Sequence, residues 1–224
     1  MRINVVTIFP EYFAQPFRTS IVGRASKSGT VEYRVVDLRD YAHDKHRTVD
    51  DEPFGGGAGM VMKPGPFFEA VDDMKPEGPI VLLSPRGRTF DHEKAVQFAV
   101  GTELTLLCGH YKGVDERVAT GLATEELSIG DYVVSGGEPA ALVVIDAVVR
   151  LLPGAMGDHE SAAGDSFYDG LLAPPEYTRP AEFRGMEVPD VLRSGDHKRV
   201  EAWKREQAES MTRRRRPELW ERER

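Results

Sequence analysis

The chain has 224 residues, 40% of them hydrophobic and 29% charged, with a single cysteine and a formal net charge of −8. That is enough apolar material for one domain, or a large one plus a small one, and it excludes a disulfide-stapled scaffold and a nucleic-acid binder that works by bulk charge. No apolar run approaches the roughly 18 residues of a membrane helix, and MRINVVTIFP lacks the apolar stretch of a secretory leader, so a cytoplasmic protein with no membrane partner is expected. From Gly195 to Arg224 ten Lys/Arg face seven Asp/Glu, which leaves an acidic body with a basic tail.

In chain order, Ile3–Phe9 is an apolar run of strand length closed by Pro10. Pro10–Phe17 and Ile21–Lys27 then read as helices, and Val31–Leu38 alternates as a strand does. Arg39–Met62 is long and irregular. Its His43, Asp44 and His46 fit either a metal-dependent hydrolase or a solvated polar loop, and without helical spacing the loop is favoured. Its glycine run, Phe54-Gly55-Gly56-Gly57-Ala58-Gly59-Met60, can present bare N–H groups to an anion or a base edge, and the flanking Phe54 and Met60 favour an ordered loop over a linker.

Regular alternation follows. Pro66–Met74 is a short helix, and Ile80–Leu83 is a strand ending in the turn Ser84-Pro85-Arg86-Gly87. Asp91–Val100 is a helix with Asp91 as N-cap; Leu104–Cys108 is a strand ending in Gly109 and the turn His110-Tyr111-Lys112-Gly113. Helix Gly113–Leu122 leads to strand Glu126–Ile129, which stops at Gly130-Asp131; Tyr132-Val133-Val134, a Ser135-Gly136-Gly137 turn and helix Pro139–Leu152 complete the segment. That last helix is apolar almost all round, as in a core or at an oligomer interface.

Pro153-Gly154 ends the large domain, 1–154. Residues 155–170 read as a linker rich in Gly, Ala, Ser and Asp, and 171–224 as a small Pro-punctuated domain with helices at His197–Met211 and Pro217–Glu223, anchored by Trp203 and Trp220.

Strands alternating with helices predict an α/β fold with a mostly parallel sheet. Several of its strands finish in tight Gly-bearing loops, and ligands of open α/β sheets bind at the carboxyl ends of strands. Each loop alone is an ordinary turn; three together point to a shared pocket. None matches G-x-G-x-x-G or G-x-x-x-x-G-K-[ST], which leaves out a dinucleotide fingerprint and a P-loop.

Several motifs make this chain similar to a known family. GHYKGVDER, SIGDYVVSGGE and AVVRLLPG, with HDKHRTVDDEPFGGGAGMVM, GDSF, YTRP and GMEVPDVLRSGDH, resemble the bacterial tRNA (guanine-N1)-methyltransferases of the SPOUT class over nearly the whole chain. The resemblance implies a mostly parallel sheet carrying a deep trefoil knot and a small α-helical C-terminal domain that binds tRNA. It implies transfer of a methyl group from S-adenosyl-L-methionine to N1 of guanosine 37 in tRNA, by a homodimer. Guanine N1 must lose a proton before it attacks, and charge then develops at O6. The resemblance assigns the proton to Asp165 and O6 to Arg150. Cofactor contacts fall on Leu83, Ser84, Pro85, Gly109, Tyr111, Ile129, Gly130, Asp131, Tyr132, Val133, Val134, Gly136 and Gly137, and substrate contacts on Gly55, Gly56, Gly57, Gly59 and Ser161.

In GHYKGVDER, Lys112 stands where the family typically has Glu and His110 where Arg is usual. Lys112 reverses a charge beside the expected cofactor, which leaves Mg²⁺ use open. A non-catalytic RNA-binding protein on a degenerate SPOUT fold is the alternative reading.

Overall fold

The structure, a computed structural model, describes residues 1–156 and 164–222. The chain divides into two units, Met1–Gly157 and Asp158–Arg224.

Unit one is built on a parallel sheet whose strands are β1 (Arg2–Thr7), β2 (Glu32–Asp37), β5 (Ile80–Thr89), β6 (Glu103–Cys108) and β7 (Glu125–Ser128), ordered β2-β1-β6-β5-β7. Both sheet faces are covered, which is why the inner strands β1 and β6 are buried from their second residue to their last, whereas the edge strand β2 alternates and carries Glu32, Arg34 and Asp37. Neighbours along a strand serve opposite cores. Val5, Leu83 and Leu106 join a cluster with α1 (Ser20–Lys27), α3 (His92–Ala99) and α5 (Gly137–Val149), whereas Val6, Leu82 and Leu107 join one with α2 (Pro64–Met74) and α4 (Glu116–Gly121). The apolar character of α5 is explained by this core: Ala141, Val144, Ile145, Val148 and Val149 are fully buried, and Val143 is left facing solvent.

Local chemistry moves several boundaries from their expected places. Pro10–Phe17 is not one helix but two 3₁₀ turns, Pro10–Phe13 and Pro16–Arg18, because Pro16 has no N–H to continue the first. Strand β5 does not stop at Leu83. Leu127 of β7 pairs with both Leu83 and Arg88, so Ser84–Gly87 bows out of the ladder and the strand resumes to Thr89. Gly87 permits this, since a Cβ there would lie 2.4 Å from the Glu126 carbonyl carbon. Asp91 caps α3 as expected, its side chain accepting from the Lys94 N–H at 2.9 Å. The last helix of this unit begins at Gly137, two residues before the expected Pro139, and Arg150 is its C-cap. Within the irregular 39–62 segment, β3 (Asp50–Asp51) and β4 (Val61–Met62) form a short antiparallel ribbon at the base of the glycine loop.

Unit two holds a hairpin of β8 (Glu182–Phe183) and β9 (Met186–Glu187), which the sequence reading did not contain, then α6 (Asp190–Arg193), α7 (His197–Arg215) and α8 (Pro217–Arg222). Helix α7 runs past the expected Met211, and Arg213, Arg214 and Arg215 lie in its last turn, where cations suit the helix dipole. Its buried Thr212 hydroxyl accepts from the Leu172 N–H at 2.9 Å, and the Arg213 guanidinium sits 4.1 Å over the ring of Trp220.

Candidate active site

Strands β6, β5 and β7 are neighbours, so the loops that follow them emerge side by side at one edge of the sheet. Together they line one cavity of about 450 Å³, within the range of roughly 300–1,000 Å³ usual for small-molecule sites. The Ser84–Arg86 bulge forms one wall, Gly109–Val114 a second, and Ile129 with Tyr132–Gly137 a third; the ends of β5 and β7 and Ala140 form the floor.

Backbone approach shapes this floor. The Gly137 N–H donates to the Gly109 carbonyl at 2.8 Å and brings the start of α5 onto the end of β6. The next side chain, Glu138, points away from the cavity into the protein, where its Oε1 accepts from the Thr7 hydroxyl at 2.6 Å; both residues are buried. Thr7 Oγ1 also accepts from the Phe9 N–H at 2.9 Å, so β1, its following turn and α5 share one polar junction. The His110 ring packs edge-on against Phe9 and Tyr111, at 5.1 Å and 4.9 Å between centroids, and its buried Nδ1 has no hydrogen-bond partner among the described residues. Arg86 is held from two sides, its guanidinium 2.9 Å from Glu116 and 3.5 Å from Glu126, and the Glu116 hydrogen bond foremost raises its already high pKa.

Of the residues expected at a cofactor site, Leu83, Ser84, Pro85, Gly109, Tyr111, Ile129, Tyr132, Val133, Val134, Gly136 and Gly137 all line this cavity. Gly130 and Asp131 do not: Gly130 has φ +142°, its N–H and carbonyl are both tied to the Ser128 hydroxyl, and the chain turns away there. The glycines at 55, 56, 57 and 59 also lie off the cavity wall, although Pro53 and Val61, just outside them, are on it. Arg150 is half-buried at the end of α5 in unit one, and Asp165 is exposed in unit two. Ser161 lies outside the described residues. The sequence reading assigned no site role to Arg86, Ser128 or Ser135, which line the cavity from the turn after Leu83, the end of β7 and the turn before α5. His110 and Lys112, noted there only as departures from the family pattern, line it too. Their polarity was visible; which way each pointed was not.

Among the described residues no group of three or more His, Cys, Asp or Glu side chains is arranged to hold a metal ion. In the 43–48 segment Asp44 organises its own turn. The Thr48 and His46 N–H groups donate to it at 2.8 and 2.9 Å, and these bonds, Thr48 first, hold its carboxyl below the usual carboxylate range. His43 Nε2 lies 2.6 Å from Glu69.

Comparison with known proteins bears on what this cavity serves. A family model described as tRNA (Guanine-1)-methyltransferase TrmD matches residues 1–222. A protein of Dehalococcoides mccartyi (strain CBDB1) named tRNA (guanine-N(1)-)-methyltransferase is 52% identical over 99% of this chain and 91% of its own length. Proteins of the same name from Moorella thermoacetica (54% identical, 98% of this chain and 90% of the relative) and Geobacillus kaustophilus (49%, 98% and 91%) are similar to the same extent. Identity of this order over nearly the full length places the chain in the tRNA (guanine-1)-methyltransferase TrmD family.

Proposed function

We propose that the protein methylates N1 of the guanosine just 3′ of the anticodon in tRNA, with S-adenosyl-L-methionine as donor. The observation that carries this reading is the single cavity formed by three loops from adjacent strands, in a chain of this family. The cavity suits such a donor. It has the size of a small-molecule site, apolar walls from Leu83, Ile129 and Val134, and bare backbone at Gly109, Gly136 and Gly137. When bound there the donor supplies a methyl group already activated on its sulfonium, so the protein's own task is position and protonation state.

Asp165 takes the proton from guanine N1 as general base, and Arg150 stabilises the charge that develops at O6. Residues 155–170 act as the linker and 171–224 as the tRNA-binding domain. The three cavity loops are tied in the trefoil knot of the SPOUT class, and the enzyme works as a cytoplasmic homodimer. This part of the reading is supported by the family motifs alone. Among the described residues no helix is long and apolar enough to cross a membrane. Mg²⁺ has no assigned ligand in this reading.

The test is methyl transfer from labelled S-adenosyl-L-methionine to an unmodified tRNA transcript, with the product nucleoside identified. Calorimetric titration with the donor runs beside it. Asp165→Asn should cut transfer by about 10²–10⁴-fold with donor binding nearly unchanged. Full activity of that variant would remove Asp165 from the base role, and a wild-type protein that leaves tRNA unmethylated would end the reading.

A further inference from the structure

The cavity is lined by no Asp or Glu and by two cationic side chains, Arg86 and Lys112. Arg86 is neutralised by Glu116 and Glu126. The Lys112 ammonium has no hydrogen-bond or ion-pair partner among the described residues, so it is the uncompensated charge of the site.

Where that charge sits is informative. The Lys112 N–H donates to the Met60 carbonyl at 3.0 Å, which docks the residue on the base of the glycine loop. Its side chain then runs back along the loop until Nζ lies 3.0 Å from where a Cβ would stand on Gly57. The same loop begins with a reverse turn closed by the Gly56 N–H on the Pro53 carbonyl at 3.2 Å, with Gly55 at φ +84°. This turn sets Phe54 at its corner, and Phe54 is fully exposed, at 102% relative accessibility. Pro53, immediately before it, is on the cavity wall.

An unpaired ammonium laid along the glycine loop from the neighbouring turn, and an uncovered aromatic ring on the loop itself, match the repeating unit of a single-stranded nucleic acid, a phosphate and a base. In a chain of net charge −8 there is no general attraction for RNA, so phosphate contacts must be local. We propose that Lys112 and Phe54 form a two-point clasp for the nucleotide adjoining the methylated guanosine, Lys112 on its phosphate and Phe54 stacked on its base. The proposal rests on the tRNA reading above. It goes beyond that reading by assigning two residues that hold RNA rather than donor.

The experiment measures tRNA binding by filter retention at several KCl concentrations, and donor binding by calorimetry, for wild type, Lys112→Met and Phe54→Leu. Both side chains are exposed, and unchanged melting temperatures will show that the variants fold. Lys112→Met should weaken tRNA binding at low salt and make the slope of log K against log [KCl] shallower by about 0.7. Phe54→Leu should weaken binding about fivefold or more with the slope unchanged. Donor affinity should stay the same in Phe54→Leu, whose side chain is not on the cavity wall, while for Lys112→Met the loss should fall on tRNA binding and its salt slope. A rise in donor Kd for Lys112→Met with tRNA binding intact would assign the ammonium to the donor carboxylate and overturn the clasp, as would a tRNA effect in only one variant or in neither. Because binding is measured without turnover, a protein that failed to methylate would sink the enzymatic reading while the clasp was still tested.

Discussion

Gly137 lies against Cys108 with no room for a side chain: a Cβ built on it would be 2.6 Å from the Cys108 Cα and 3.0 Å from the Gly109 nitrogen. The obstruction is backbone, which cannot rotate aside, and the Gly137 N–H to Gly109 carbonyl bond depends on the same approach. Gly137→Ala therefore pushes the first turn of α5 off the end of β6. Overpacking of this kind costs about 1–3 kcal/mol, more than the gain of up to about 1 kcal/mol from helix propensity. Calorimetry should show a melting temperature lower by several degrees, at roughly 2–4 °C per kcal/mol for a chain this long. Donor affinity should fall with it, since Gly109 and Gly137 line the cavity. An unchanged melting temperature would mean the helix start is not fixed by this contact.

The Thr7–Glu138 junction gives an asymmetric prediction. Thr7→Val keeps the shape but strips both the donor to Glu138, which is buried, and the acceptor for the Phe9 N–H, which is partly buried. Leaving such groups unpaired costs about 1–3 kcal/mol. Glu138→Gln retains a carbonyl oxygen that can still accept from Thr7, so its cost should be smaller. Urea denaturation of the two single variants and the double variant measures this. The double-mutant cycle should return a coupling energy between the sites, and strict additivity would show that they do not interact.

The parallel sheet and its cavity were legible because each used a strong signal. Apolar runs of strand length such as Leu104–Cys108 can only be buried strands when helices flank them, and Gly at each exit marked the loops. Missed features depended on partners distant in sequence. Ser84–Gly87 reads as a turn in isolation, and only the double use of Leu127 reveals a bulge inside a continuing strand. The Arg86 pairing with Glu116 and Glu126 spans 30 and 40 positions and leaves no local pattern. The β8–β9 hairpin, four residues in strand around Arg184-Gly185, is shorter than any periodicity can register. Asp165 and Arg150 were nominated by family motifs alone, since neither stands out by spacing.

Arg86 separates stability from site order. Its side chain is 58% exposed, and exposed ion pairs are worth about 0–1 kcal/mol, so Arg86→Met should barely move the denaturation midpoint. The same two bonds, however, tie the bulged wall of the cavity to α4 and β7. Freed of them, Ser84–Gly87 gains conformations that a ligand must suppress, and titration should show weaker donor binding with little change in stability. A large loss of stability with donor affinity preserved would reverse this assignment.

Cys108 supplies the pH prediction. Burial first, and the nearby Glu138 second, push its thiol well above the ordinary 9.0, whereas the unfolded thiol ionises at that ordinary value. Above about pH 9 the folded chain therefore holds one more proton than the unfolded chain, and stability must fall as pH rises. The contribution is complete below pH 9 and is lost above it, at up to about 1.4 kcal/mol per pH unit. Cys108→Ala removes the titrating group, so its stability difference from wild type should be flat from pH 7 to about 9 and then shift in the variant's favour. Denaturant titrations at pH 7, 8, 9 and 10 measure it. The companion observation is chemical: a thiol with no exposed surface, kept protonated, should resist thiol reagents in the native state at pH 8 and react promptly once urea unfolds the chain. Rapid native labelling would place Cys108 in contact with solvent and remove the basis of the pH effect.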